Sequence, residues 1–186
     1  MGDVTAKEFA SNFKGKEVPG ALSALLGFQQ QYGMESYSEC FYLDNGGDSG
    51  ISSWSEDPAF LSRIFPFATA TGSGSMYALW DNGAPSDSMP VLVFGDEGGV
   101  HIVAKNALEL MQLLTYDVEI SVDFDSAYFY KPDDHDNESE FAEEYKEWLK
   151  TSFGVDPVTE PDDIINAAQE QYKESFDTWF SQYYEN

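Results

Sequence analysis

The sequence predicts an α+β protein, a mainly antiparallel sheet flanked by helices with a helical extension at the C-terminal end. Three observations predict it. Between residues 40 and 104, short β-rich runs recur between turns of Gly, Asn, Asp and Pro. Segments with helical apolar spacing lie before and after those runs. No fixed-period repeat or low-complexity linker divides the chain. A length of 186 residues suits one domain with its own core. Residues 1–186 therefore read as a single domain, with an α+β core over 1–130 and an acidic helical extension over 131–186.

Each element has its own signal. Leu22, Leu25, Leu26 and Gln29 follow helical spacing between Pro19 and Gly33, which predicts a core helix over 19–32. Strands are expected at 40–43 before Asp44-Asn45-Gly46-Gly47, at 67–71 before Gly72, at 76–80 before Asp81-Asn82-Gly83 and at 90–94 before Gly95. Asp57-Pro58 starts a short helix through Ile64, which Pro66 stops. A strand at 100–104 runs into a helix that Asn106 caps, with Glu109 three residues on and Leu110, Leu113 and Leu114 as its apolar face. Val118, Ile120, Val122 and Phe124 alternate with polar residues, which predicts one half-buried strand over 118–130. After an acidic loop over 132–138, Phe141, Tyr145, Trp148 and Leu149 mark a helix that Gly154 ends. Thr159-Glu160-Pro161-Asp162 has the look of a capping box. Behind it Ile165, Ala168, Tyr172, Phe176, Trp179 and Tyr183 form one aromatic stripe.

Composition excludes whole classes of function. Nine Lys and Arg stand against 34 Asp and Glu, a formal net charge of −25. Direct ligands such as DNA, RNA and anionic lipid are excluded, because their binders need clustered cations. Residues 131–186 hold 16 of the acids and 4 of the bases, so charge is densest in the extension. Aromatic residues at 16% are too many for a disordered acidic chain, so the charge decorates a folded body. The single Cys40 excludes an intramolecular disulfide and fits a reducing compartment. One Cys and two His are too few for a closed zinc site. Residues 1–13 mix acids and lysines without an apolar run, and no stretch is long enough to cross a bilayer. Ala6 stands where a myristoylation motif wants Ser or Thr. The expectation is a cytoplasmic protein with no membrane partner.

Three segments in series then carry a family pattern. They are Gly72-Ser73-Gly74-Ser75-Met76-Tyr77-Ala78-Leu79-Trp80, Met89 through Phe94 into Gly95-Asp96-Glu97-Gly98-Gly99, and Val103-Ala104-Lys105-Asn106 through Leu110. This order resembles the core signature of the SUKH superfamily, which takes in Syd-like proteins and the fungal cell-wall-regulator type. The match covers residues 72–114, 43 of 186. Residues 144–179 are similar to an extension found in bacterial members. The resemblance implies a sheet flanked by helices and no enzyme active site. Bacterial members are typically immunity proteins that bind and block a cognate polymorphic toxin, often a nuclease. Fungal members are linked to cell-wall glucan synthesis. The partner so implied is a basic toxin domain; the alternative is a regulatory or carbohydrate-associated binding module.

The candidate sites each have a structural alternative. Asp96-Glu97 could divide acid and base roles, yet Gly95, Gly98 and Gly99 suggest a tight turn whose acids face water or nearby N–H groups. Trp80 before Asp81 suits either a partner anchor or the core. Asp44, Asp48 and Glu56 depart from a calcium loop, since Gly46 takes the third place and Ser55 the twelfth. The run Asp133, Asp134, Asp136, Glu138 and Glu140, with His135 inside it, reads as a solvated loop, with adventitious Ca²⁺ or Mg²⁺ binding as the alternative. His101 lies in an apolar strand and reads as structural. No nucleophile elbow or phosphate-loop lysine occurs, and a glycosidase with paired carboxylates has only composition behind it. We therefore expect no catalytic residue, metal or cofactor. The partner surface is placed on Asp44, Asp48, Trp80, Asp81, Asp96 and Glu97.

Overall fold

The computed structural model of the protein describes residues 3–48, 50–133 and 137–184. Five strands form one antiparallel meander in chain order: β1 (Tyr42–Leu43), β2 (Ile64–Thr69), β3 (Met76–Trp80), β4 (Val91–Phe94) and β5 (Val100–Ala104). The expected α+β architecture is the one observed. Both faces of the sheet are buried. Tyr77, Leu79, Val91 and Val93 face one core, whereas Met76, Ala78, Trp80, Leu92 and Phe94 face the other. This is the two-residue alternation of a pleated strand, with apolar residues in both phases.

Helices α1 (Ala6–Ser11), α2 (Gly20–Tyr32), α4 (Ala107–Leu114) and α5 (Ala142–Phe153) fill the first core. Helix α3 (Pro58–Leu61) and most of α6 (Pro161–Phe180) fill the second. Phe176, Trp179 and Phe180 of α6 pack on Phe60, Trp80 and Phe94, so the C-terminal extension, together with α3, covers this face of the sheet. Asn106 caps α4 as expected: its side chain accepts from Glu109 N at 2.9 Å. Glu109 reaches back one residue further than a capping box does and accepts from Lys105 N.

Several elements differ from expectation. Helix α1 was not anticipated, although Thr5 and Glu8 form a full capping box and Phe9 anchors the turn in the core. Helix α3 stops at Leu61, and β2 begins at Ile64 and runs through Pro66. The register shifts there, with Pro66 opposite Ala78 and Ala68 opposite Tyr77, leaving Phe67 bulged. Such an irregularity is where a strand tolerates the missing N–H of proline. The single strand expected over 118–130 is a hairpin, β6 (Ser121–Val122) and β7 (Ala127–Tyr128), closed by Asp123 N donating to Ser126 O at 2.8 Å. The turn Asp123-Phe124-Asp125-Ser126 breaks the alternation. Helix α6 has no side-chain cap; Asp162 instead accepts from Phe129 N at 3.1 Å, tying the hairpin to the helix.

The open edge of the sheet at β1 is sealed by side-chain amides. The buried Gln29 carboxamide accepts from Leu43 N at 2.7 Å, donates to Leu43 O at 2.9 Å and accepts from the Tyr37 hydroxyl. Asn12 continues the seal, donating to Asp44 O and accepting from Gly46 N. Together they occupy the hydrogen-bonding groups that a further strand would use.

Candidate functional site

A ledge forms where the β4–β5 turn meets the β6–β7 hairpin. Gly95 and Gly99 make the meeting possible. Gly99 has φ +86°, and a Cβ there would strike the carbonyl of Asp123; one on Gly95 would come within 2.9 Å of Val122 Cγ1. The glycines thus form a turn, as expected, and also a seat for the hairpin. His101 locks the seat: its Nε2 lies 2.8 Å from Asp123 O, and since a carbonyl only accepts, that nitrogen carries the proton. The structural role expected for His101 is the one observed.

Asp96 is exposed and held in place. Its Oδ1 accepts from Ser75 Oγ at 2.8 Å and Ser73 Oγ at 3.0 Å, and its own N–H donates back to Ser75 Oγ. These bonds, the Ser75 hydroxyl first, hold its carboxyl below the usual range, so it is a standing anion. Glu97 beside it is exposed to water. Phe124, at the hairpin tip, is 62% exposed, and Tyr130, just beyond β7, is 64% exposed. Asp123 and Asp125 flank Phe124, and Asp123 Oδ2 accepts from the Tyr128 hydroxyl at 3.0 Å.

The negative charge continues along the same end of the sheet. Gly72 N donates to Glu119, Glu119 N to Glu39, and Glu39 N to Asp117, each at 2.8–3.0 Å. Cys40 lies within this belt. Burial, with Glu119 beside it, pushes its thiol up to about 12, which suppresses thiolate chemistry.

The other expected site residues are placed apart from the ledge. Asp44 lines an 830 Å³ cleft beside β1, together with Asp3, Glu8, Tyr42 and Thr69. It accepts from Thr69 Oγ1 at 2.7 Å, while burial raises its pKa. The Asp48 backbone lies in the short 3-10 turn Gly46–Asp48; its side chain is outside the described residues. Trp80 is 3% exposed, with its ring 5.2 Å from Phe176 and 5.7 Å from Trp179. This corrects its expected place on a partner surface: the aromatic residues of α6 bury it. Asp81 stands at the opposite end of β3, about 20 Å from Ser75 by the rise per residue of a strand. There it accepts from Gly83 N, and Lys16 lies 3.8 Å away. Asp96 and Glu97 are chain neighbours on the ledge, Asp81 stands at the far end of β3, and Asp44 lines a cleft whose wall reaches Gly74, between the two serines that hold Asp96.

The chain has been compared with family models, curated proteins and solved structures, and none matches. Among the described residues, no His, Cys, Asp or Glu group is arranged to hold a metal ion, and no helix is long and apolar enough to cross a membrane. Of the acidic loop, Asp134, His135 and Asp136 lie outside the described residues. What the ledge offers chemically is fixed negative charge beside an exposed aromatic ring. Sequence reasoning missed Phe124, Glu39, Asp117 and Glu119. The turn chemistry of Asp123-Phe124-Asp125-Ser126 was the available signal for Phe124.

Proposed function

We propose that the protein is a non-enzymatic immunity protein, which binds a basic toxin domain and occludes it. The observation that carries this reading is the charge imbalance. Nine bases face 34 acids, which leaves a formal excess of 25 negative charges. Six of the nine bases are already engaged internally. Lys16, Lys146, Lys150 and Lys173 are ion-paired, Lys14 donates to Ile64 O, and Arg63 donates to Asp81 O. Self-repulsion of this size costs stability, and the same field speeds the approach of a cationic partner. A nuclease must display Lys and Arg to its phosphate substrate, so an acidic protein competes for that surface as a polyanion. The resemblance of residues 72–114 to the SUKH signature supports the same reading. In it the protein acts in the cytoplasm of the producing cell, and Asp96 and Glu97 belong to the contact.

A second reading has one observation in its favour. Trp54, Phe124, Phe180 and Tyr184 line a 350 Å³ groove with His101 and Asp177, a mixture of ring faces and polar groups suited to a sugar. Titration with glucan oligosaccharides separates the two readings, with no heat at millimolar ligand expected under the first. The immunity reading is tested by expressing the open reading frames that flank this one, each alone and together with this protein. One is expected to be toxic alone and tolerated in its presence. Toxicity that persists in its presence overturns the reading.

A further inference from the structure

We infer that the hairpin tip Asp123-Phe124-Asp125, with Glu97 beside it, is the docking point for an arginine side chain of a basic protein partner. The inference rests on the proposed toxin-binding reading and adds a specific contact to it. Among the described residues, Phe124 and Tyr130 are the two large hydrophobic side chains left exposed, at 62% and 64%, and both lie on this one segment. Aromatic residues dominate the energetics of contact surfaces, and Phe124 is the one at the hairpin tip.

The surroundings of Phe124 say what covers it. Asp123 and Asp125 flank it in the chain, and a Cβ on Gly98, the residue after Glu97, would lie 3.9 Å from its ring. The site therefore combines an exposed ring with acidic neighbours: Asp123 and Asp125 in the chain, and Glu97 next to the Gly98 that the ring approaches. A guanidinium meets both demands, stacking its face on the ring while its edges donate to the acids. An ammonium pairs with the acids and stacks poorly. Lys173, which shares a groove with Phe124 and Asp125, is ion-paired with Asp177.

The tip is also ordered before any partner arrives. Asp123 is held through its carbonyl by His101, through its carboxylate by Tyr128 and through its N–H by Ser126. Asp162 holds the far arm at Phe129 N. Docking therefore orders little of the chain, and less of the contact energy is lost to entropy.

The test titrates the full chain, at low salt, with a short alternating Gly-Arg peptide and with a Gly-Lys peptide of the same length and charge. The Gly-Arg peptide is expected to bind about two- to five-fold more tightly, the range of an exposed cation–π contact. Phe124→Ala and Phe124→Leu are expected to erase that preference and leave Gly-Lys affinity unchanged, since this ring is at the surface. Asp125→Asn is expected to weaken both peptides. Equal affinities in the unaltered chain, or a preference that survives Phe124→Ala, overturn the docking point. Neither peptide is a toxin, so this result and that of the co-expression test fail independently.

Discussion

The cleft beside β1 and the ledge at the β4–β5 turn both present aspartates, and they treat them in opposite ways. In the cleft, burial destabilises the charge of Asp44 and Thr69 only partly offsets this. On the ledge, two serine hydroxyls stabilise the charge of Asp96 in the open. A count of acids cannot distinguish them. What separates them is the balance of desolvation against hydrogen bonding, and that balance makes the ledge the place where negative charge is constant and reachable.

The largest effect is expected behind the cleft, where the buried Gln29 holds Leu43. Gln29→Leu leaves Leu43 N–H, Leu43 C=O and the Tyr37 hydroxyl without their partner, and should cost about 3 kcal/mol or more in urea unfolding. A loss below about 1 kcal/mol would show that water or another side chain takes over the seal. On the ledge, Gly99→Ala combines a left-handed backbone with a Cβ driven into Asp123 O. It should cost about 2 kcal/mol and speed amide exchange in residues 121–128. Unchanged exchange would mean that the hairpin does not depend on this seat.

The two aspartates should differ in sign. Burial raises the folded-state pKa of Asp44, so its charge opposes folding once the pH rises through that value. Asp44→Asn should then stabilise at pH 7, on the order of 1 kcal/mol, and do nothing in acid, where the carboxyl is protonated. Asp96 is the reverse. Its lowered pKa contributes stability above the ordinary carboxylate range, and that stability is lost as the pH falls through the folded value. Asp96→Asn should destabilise at pH 7 by under about 1 kcal/mol, because water screens an exposed carboxylate. Unfolding curves of both variants at neutral and acid pH check the pair, and shifts of the same sign would break the contrast.

The fold was legible where local chemistry and burial agree. The apolar spacing of α2, the Asn106 cap of α4 and the runs at 76–80 and 100–104 each carry their own signal, and each element is found there. The signal fails where a tertiary contact decides. Pro66 reads as a stop, but a bulge accommodates it inside β2. Asp162 reads as part of a capping box, but Phe129 N draws its carboxylate to the hairpin. At the site, the glycines around Asp96-Glu97 pointed to the right turn because their spacing is local. Phe124 was hidden by the same logic. Alternation placed it on the buried side with Ile120, and a turn invisible to periodicity put it in water. Trp80 shows the converse, since its burial depends on α6, about a hundred residues further along the chain.

The most direct measurement follows backbone amide shifts while the full chain is titrated with the Gly-Arg peptide at low salt. The account predicts that the largest shifts fall at residues 97–99 and 123–126, with those at 44–47 small. Shifts centred on the cleft beside β1, with the hairpin unmoved, would contradict it.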